Sequence, residues 1–266
     1  MTGERAGAGS PGGAADPGAV DPGAADPGAA DPGAADPGDR RTPSGQAAGN
    51  DRASESRPVL LVATGSTHKL RELTELLHLE HARVVSLADV PPAAAGEPVE
   101  DGTTFAANAA IKARFYARAT GLPTLADDSG IEVDALGGGP GVRTRRFAGE
   151  GATDAHNNAK LLFVLRGFPP ADRGARYRCV LAFADPREAG PRGGIPVVRT
   201  RGTLEGRIAA GPKGEGGFGY DPIFEPQPEP PGGRTLGEWS AAEKNAVSHR
   251  ARAARRMARL LAAKGF

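Results

Sequence analysis

Val59-Leu60-Leu61-Val62-Ala63-Thr64-Gly65-Ser66-Thr67-His68-Lys69-Leu70 is the stretch that decides the fold. Its first five residues are a short unbroken apolar run, the pattern of a strand covered on both faces, and Thr64-Gly65 ends it. Beyond the turn, Leu70, Leu73, Leu76 and Leu77 recur at helical spacing. Strand, turn and helix in that order open an α/β unit. The junction also carries chemistry. Free N–H groups at a helix N-terminus, together with the helix dipole, favour an anion, and Lys69 adds a mobile positive charge. The spacing is not that of a Walker P-loop. Ser66 acting only as helix cap, with Lys69 in solvent, explains the same residues equally well.

Working outward, Arg83 to Leu87 reads as a second strand, followed by a flexible connection through Pro91-Pro92 and Ala93 to Pro98. A long helix is expected from Thr103 to Thr120, with Phe105, Ala109, Lys112-Ala113 and Tyr116-Ala117 on one face and Gly121-Leu122-Pro123 as its stop. Thr124 to Ala126 and Ile131 to Val133 read as two strands meeting at Asp127-Asp128-Ser129-Gly130. Leu136 to Gly141 is a sharply turned loop and Asp154 to Leu165 a helix. Arg176 to Ala184 and Val197 to Ile208 alternate as strands of an antiparallel or mixed extension of the sheet. The glycine-rich segment Gly211 to Gly219 enters a strand at Tyr220. Ser240-Ala241-Ala242-Glu243 has capping-box spacing and opens a last helix with Met257, Leu260 and Leu261 on its apolar face. The order is that of an α/β protein.

The 266 residues are not uniform. Residues 1–57 hold no aromatic residue, no Leu and no Ile, and Ala-Asp-Pro-Gly-Ala recurs there with a five-residue period. Such a segment has almost nothing to bury against the entropy of ordering, so a disordered low-complexity tail is expected, with a folded domain over 58–266. The tail carries 5 basic against 9 acidic residues and the rest 28 against 23, within a net charge of +1. Neither balance suits a nucleic-acid surface. No apolar run serves as a signal-peptide core or approaches the roughly 18 residues of a membrane span, so a soluble cytoplasmic protein is expected. The single cysteine, Cys179, lies in an apolar-alternating run and reads as a buried thiol.

Three further groups carry candidate chemistry. Glu100, Asp101, Asp127 and Asp128 supply carboxylates, and two adjacent residues of an extended segment point to opposite faces. A metal site completed from elsewhere, with oxygen ligands suited to magnesium, is one reading. A plain Asp-Asp-Ser-Gly turn is the other. Gly217-Phe218-Gly219-Tyr220-Asp221-Pro222 offers a flat ring beside an acidic acceptor, which fits a nucleobase or a core-anchoring Phe. Lys244, Ser248, His249 and Arg250 form either a ligand-facing cluster or a solvated basic face; His249 and Arg250 reach one ligand only at a helix end or kink.

In order and content these motifs together resemble the inosine/xanthosine triphosphate pyrophosphatase family. The likeness runs through Leu61 to Gly65, Lys69, Glu72-Leu73, Glu100 to Ala109, Lys112-Ala113, Gly121 to Pro123, Ala126 to Gly130, Val133 to Gly138, Pro140 to Val142, Phe218 to Phe224 and Glu243 to Arg250. The resemblance implies an elongated two-lobed α/β fold with a mixed sheet, a nucleotide cleft between the lobes, and a homodimer. It implies Mg2+-dependent hydrolysis of deaminated purine nucleoside triphosphates (ITP, dITP, XTP) to the monophosphate and pyrophosphate. Carried over by residue, Thr64, Gly65, Ser66, Thr67, His68 and Lys69 hold the triphosphate. Asp128 is general base and metal ligand, and Glu100 the second metal carboxylate. Ser129 contacts phosphate or sugar, Phe218 stacks on the base, Gly219, Tyr220 and Asp221 read its edge, and Lys244, His249 and Arg250 contact the purine. The chain departs from the family pattern at Ser66 (usually Asn), at Arg143-Thr144-Arg145 (usually Tyr-Ser-Ala) and at Ala251 (usually Gly). A pyrophosphatase preferring pyrimidine or modified nucleotides, and a nucleotide-binding module without catalysis, are the alternatives.

Overall fold

The computed structural model of the chain describes residues 57–91, 94 and 96–266. The expected tail therefore lies outside the described residues except for Arg57. The elements are β1 (Val59–Ala63), α1 (Thr67–Leu77), β2 (Arg83–Ser86), α2 (Phe105–Thr120), β3 (Thr124–Val133), α3 (Asp154–Val164), β4 (Gly174–Ala184), β5 (Val197–Ile208), β6 (Phe224–Pro226), α4 (Ala241–Val247) and α5 (His249–Ala262). One mixed six-stranded sheet has the order β2-β1-β3-β4-β5-β6. β1 pairs in parallel with β2 and β3, and the remaining pairs are antiparallel.

β1 is buried on both faces, as its unbroken apolar run requires. Leu60 and Val62 join Leu73 and Leu77 of α1 and Ala253, Met257 and Leu261 of α5 in one core. Leu61 and Ala63 join Phe105, Ala109, Ala113 and Tyr116 of α2 in a second core across the sheet. The three long strands, of 10, 11 and 12 residues, then run on into a second lobe. There Ile131, Val133, Leu161, Leu165, Tyr177, Leu204, Ile223 and Phe224 form a third core. This is the expected two-lobed α/β architecture with a mixed sheet.

Three expectations are corrected. The acidic segment is not a turn between two strands: β3 runs unbroken through Asp127-Asp128-Ser129-Gly130, and each of these residues pairs with β4, Asp127 with Leu181 and Gly130 with Arg178. The ladder hydrogen bonds of β4 outweigh the local turn preference. Nor is the C-terminal segment one helix. It breaks at Ser248, whose N–H donates to Lys244 O at 2.8 Å as α4 ends and whose Oγ accepts from Ala251 N–H at 3.1 Å as α5 begins. The strand expected at Tyr220 begins instead at Phe224, after a 3-10 turn over Asp221–Ile223.

α5 lies so close to β5 that Gly202 can be nothing else. A Cβ there would stand 1.9 Å from His249 O and 2.8 Å from Ala253 N, both backbone atoms of the helix. Gly202→Ala is expected to cost about 3 kcal/mol or more through this overpacking, read as a lowered urea midpoint with unchanged slope.

Candidate active site

The site forms where β1 stops. Ala63, its last residue, pairs with Ala126, while β3 continues past it. Asp127 and Asp128 therefore lie on an edge with no neighbour on the β1 side, and the pleat sends them to opposite faces. Asp127 follows Leu125 toward α1 and α5; Asp128 follows Ala126 toward α2.

On the first face, Asp127 is buried and meets Lys69 Nζ at 3.1 Å through Oδ1. Its Oδ2 accepts from Ser129 Oγ at 2.9 Å and lies 3.6 Å from Arg250 Nη2. Burial works against this carboxylate, but the charges of Lys69 and then Arg250 prevail and hold its pKa far below the usual carboxylate range. Ser66 caps α1, its Oγ accepting from Lys69 N–H at 3.4 Å. Arg250 is only 1% exposed. It donates through Nη1 to Glu72 and through Nη2 to Ser129 Oγ at 3.0 Å. Glu72 also receives Lys244 Nζ at 3.0 Å, and Lys244 reaches Asp221 Oδ2 at 2.6 Å. A chain of alternating charge thus joins Lys69 of α1 and Asp127 of β3 to the loop before β6.

That loop presents Phe218. Its ring lies 4.5 Å below Lys244 Nζ and 5.6 Å from the Arg250 guanidinium, and His68 of α1 stacks on it at 5.2 Å and 13°. His249 is buried and stacks on Tyr177 at 4.7 Å and 6°. Its Nδ1 and Arg250 Nε have no protein partner. Burial, reinforced by Arg250 and Lys244, drives the His249 pKa well below 6.5, so the ring is neutral.

On the α2 face, Lys112 Nζ lies 3.0 Å from Glu100 Oε2 and 3.0 Å from Asp128 Oδ1. Burial raises the Asp128 pKa, and Lys112 offsets only part of that rise. Two carboxylates thus converge on one cation position, and Asp128 Oδ2 is buried without a partner. Among the described residues no group of three or more His, Cys, Asp or Glu is assembled for a metal. Two oxygen ligands, with water or phosphate taking the other positions, are the donor set magnesium accepts, so these residues fit it.

Most residues singled out from the sequence converge here: Lys69, His68, Ser129, Asp128, Glu100, Phe218, Asp221, Lys244, His249 and Arg250. Thr64 accepts from Ser66 N–H at 3.2 Å, and Gly65 and Thr67 are exposed in the same turn. Tyr220 stands apart. Its ring packs in the second-lobe core, its hydroxyl donates to Thr144 O at 2.7 Å and its N–H to Tyr177 Oη at 3.1 Å, so neither is free to read a base edge; the N–H and carbonyl of Gly219, expected to read the edge with it, are likewise taken, by Asp154 Oδ2 and Asn158 Nδ2. The contacts of Glu72, Lys112 and Tyr177 were not foreseen from the sequence. Lys112 had a signal, a lysine on the apolar face of an expected helix. Glu72 and Tyr177 had none, because their partners are far away in the chain.

A two-lobed α/β protein with a basic helix N-terminus, paired carboxylates and an aromatic platform beside buried cations is, by class, a nucleotide-handling protein. The profile of the Ham1 family matches residues 60–260, and the chain belongs to that family. It is 45% identical over 194 residues to a dITP/XTP pyrophosphatase of Geobacillus kaustophilus, covering 73% of this chain and 89% of the relative. The HAM1 protein of Coxiella burnetii matches in structure with a TM-score of 0.66 at 38% identity, over 77% of this chain and 98% of that one. A crystal structure described as nucleoside-triphosphatase / dITP/XTP pyrophosphatase from Mycobacterium abscessus matches with a TM-score of 0.60 at 42% identity, over 76% and 98%.

Neutral His249 has a measurable consequence. Its folded pKa is depressed, so below pH 6.5 the unfolded chain takes up the proton more readily, and stability present above pH 6.5 is lost as pH falls. The unfolding free energy is expected to decline by up to about 1.4 kcal/mol per pH unit between about pH 6.5 and 5. Glu72 and Asp127, both depressed, add to the loss below about pH 4.5. His249→Phe keeps a flat ring on Tyr177 and is expected to flatten the upper part of the profile, measured by urea unfolding across pH.

Proposed function

We propose that the chain hydrolyses deaminated purine nucleoside triphosphates (ITP, dITP and XTP) to the monophosphate and pyrophosphate. The names of its relatives support the reaction class. The observation that carries the substrate is the pair of buried nitrogens without protein partners, His249 Nδ1 and Arg250 Nε, the second on a guanidinium 5.6 Å from the Phe218 ring. Hypoxanthine and xanthine carry an acceptor oxygen at position 6 where adenine carries a donor. A buried guanidinium N–H rewards the acceptor and is left unpaired by adenine, a mismatch worth up to about 10^4-fold in kcat/KM.

The rest of the reading follows from charge. Phe218 takes the base on its face in place of the His68 ring that stacks on it, with Lys244 and Asp221 beside it. Gly65 to Lys69 at the N-terminus of α1 take the phosphates, Lys69 turning from Asp127 toward them, and Ser129 contacts the sugar or α-phosphate. Asp128, whose proton affinity is raised by burial, takes the proton from a water whose oxygen bonds to the α-phosphorus. The bond between the α-phosphorus and the bridging oxygen breaks, and pyrophosphate leaves with that oxygen. Lys112 sits where it neutralises Asp128 and Glu100. Glu100 and Asp128 would hold Mg2+, which supplies positive charge against the phosphate oxygens when bound. A cytoplasmic homodimer completes the proposal on the strength of the family resemblance. Among the described residues no helix is long and apolar enough to cross a membrane.

The test is pyrophosphate release from ITP, XTP, ATP and GTP with and without Mg2+. ITP and XTP are expected to be preferred, with activity lost in chelator. Asp128→Asn is expected to lower turnover of ITP by about 10^3-fold while the thermal midpoint holds; a near-normal rate would remove the assigned role. Glu100→Gln is expected to raise the Mg2+ concentration needed for half-maximal rate.

A further inference from the structure

The segment Gly217–Asp221 has no ladder to shape it. Two of its glycines take left-handed backbone, Gly217 at φ 75° and Gly219 at φ 66°, on either side of Phe218. Yet its backbone polar groups are taken up one after another. Phe218 N–H donates to Asp221 Oδ2 at 3.0 Å and Tyr220 N–H to Tyr177 Oη at 3.1 Å. Gly219 is held on both sides: its N–H donates to Asp154 Oδ2 at 2.7 Å, and its carbonyl accepts from Asn158 Nδ2 at 3.0 Å. Asp154 and Asn158 lie four residues apart on α3, so one face of one helix grips both polar groups of a single peptide residue.

We infer that Asp154 and Asn158 are positioning residues for the base, fixing the Gly219 backbone and through it the height and tilt of the Phe218 ring against Arg250 and Lys244. Neither residue is hydrogen-bonded or ion-paired to the network of Glu72, Asp127, Lys244 and Arg250; their side chains bond to Gly219 instead. Asp154 is exposed and Asn158 half-buried, while the second-lobe core is built from other residues of α3, Leu161 among them. Losing the Asp154 carboxylate hands the Gly219 N–H to water and leaves that core intact. What changes is the freedom of a loop with two left-handed glycines to shift. A displacement of about 1 Å in a positioning element is enough to cost up to about 100-fold. The inference rests on the proposed function in taking Phe218 as the purine platform.

The test uses the full chain with Asp154→Ala and Asn158→Ala, and with Asp154→Asn, which keeps an acceptor oxygen. Two readouts are followed. Hydrogen exchange across Gly217–Asp221, measured without nucleotide, is expected to quicken about 10-fold in both alanine variants and to recover in Asp154→Asn. In steady-state kinetics with Mg2+, KM for ITP is expected to rise about 10-fold in the alanine variants with kcat nearly unchanged. The ITP-to-ATP ratio of kcat/KM should fall with it, and Asp154→Asn should restore both. Unchanged exchange would overturn the clamp. Faster exchange with KM and the ratio intact would overturn its link to the base, as would a loss of kcat/KM by one common factor for every nucleotide. Wild-type protein that does not prefer ITP over ATP overturns the proposed function itself, and with it the substrate half of this inference; the exchange result still judges the clamp.

Discussion

The structure depends on a guanidinium that has no access to water. Arg250 is buried beneath α1 and against β3, and an unpaired charge there would cost several kcal/mol. Glu72 of α1 and Asp127 of β3 make its burial tolerable, with Ser129 as a third partner. The partners come from two elements, α1 and β3, so α1, β3 and α5 can take only the mutual placement in which Glu72, Asp127 and Ser129 all reach the same group. The cost of burying charge becomes a constraint on geometry. Lys244 extends it, since it shares Glu72 and passes the constraint to Asp221 and so to the loop that bears Phe218.

A difference in strand length gives the cluster its site. If β1 were two residues longer, it would pair with Asp127 and Asp128 and close the edge. Because it stops against Ala126, the carboxylates sit where β3 has no neighbour on the β1 side. The helix break at Ser248 acts in the same direction. It puts His249 and Arg250 in the first turn of a new helix, where neighbours diverge enough for one to stack on Tyr177 and the other to reach Glu72. Gly202 lets that turn rest directly on β5.

The chain's local chemistry was legible in advance where one element decided it. The apolar run of β1, the leucine spacing of α1, the Ser66 cap and the full extent of β5 from Val197 to Ile208 all follow from patterns within a few residues. Asp-Asp-Ser-Gly misled because its turn preference is local and weak, whereas the β4 pairing that overrides it comes from residues some fifty positions later. The break at Ser248 was hidden because alanine-rich helical residues continue on both sides, and only the twofold use of Ser248 reveals it. Glu72 shows the limit most plainly: on its own helix it is an ordinary polar residue, and it becomes the shared anion of Arg250 and Lys244 only once α5 folds back across the sheet. The candidate site was readable as a set of residues but not as a network.

Asp127 and Asp128 differ in sequence by one position and in surroundings by the whole thickness of the sheet. Which one serves the buried cations and which one meets Glu100 is decided by odd-and-even parity along β3, not by any property of aspartate. The site is therefore written in a reading frame of the strand as well as in residue identities. A substitution at Leu125 or Ala126 leaves that frame intact, whereas insertion or loss of a single residue between Thr124 and Asp127 exchanges the two environments without changing the composition of the site. Length across this short interval is a more heavily constrained character of the chain than the side chains that fill it.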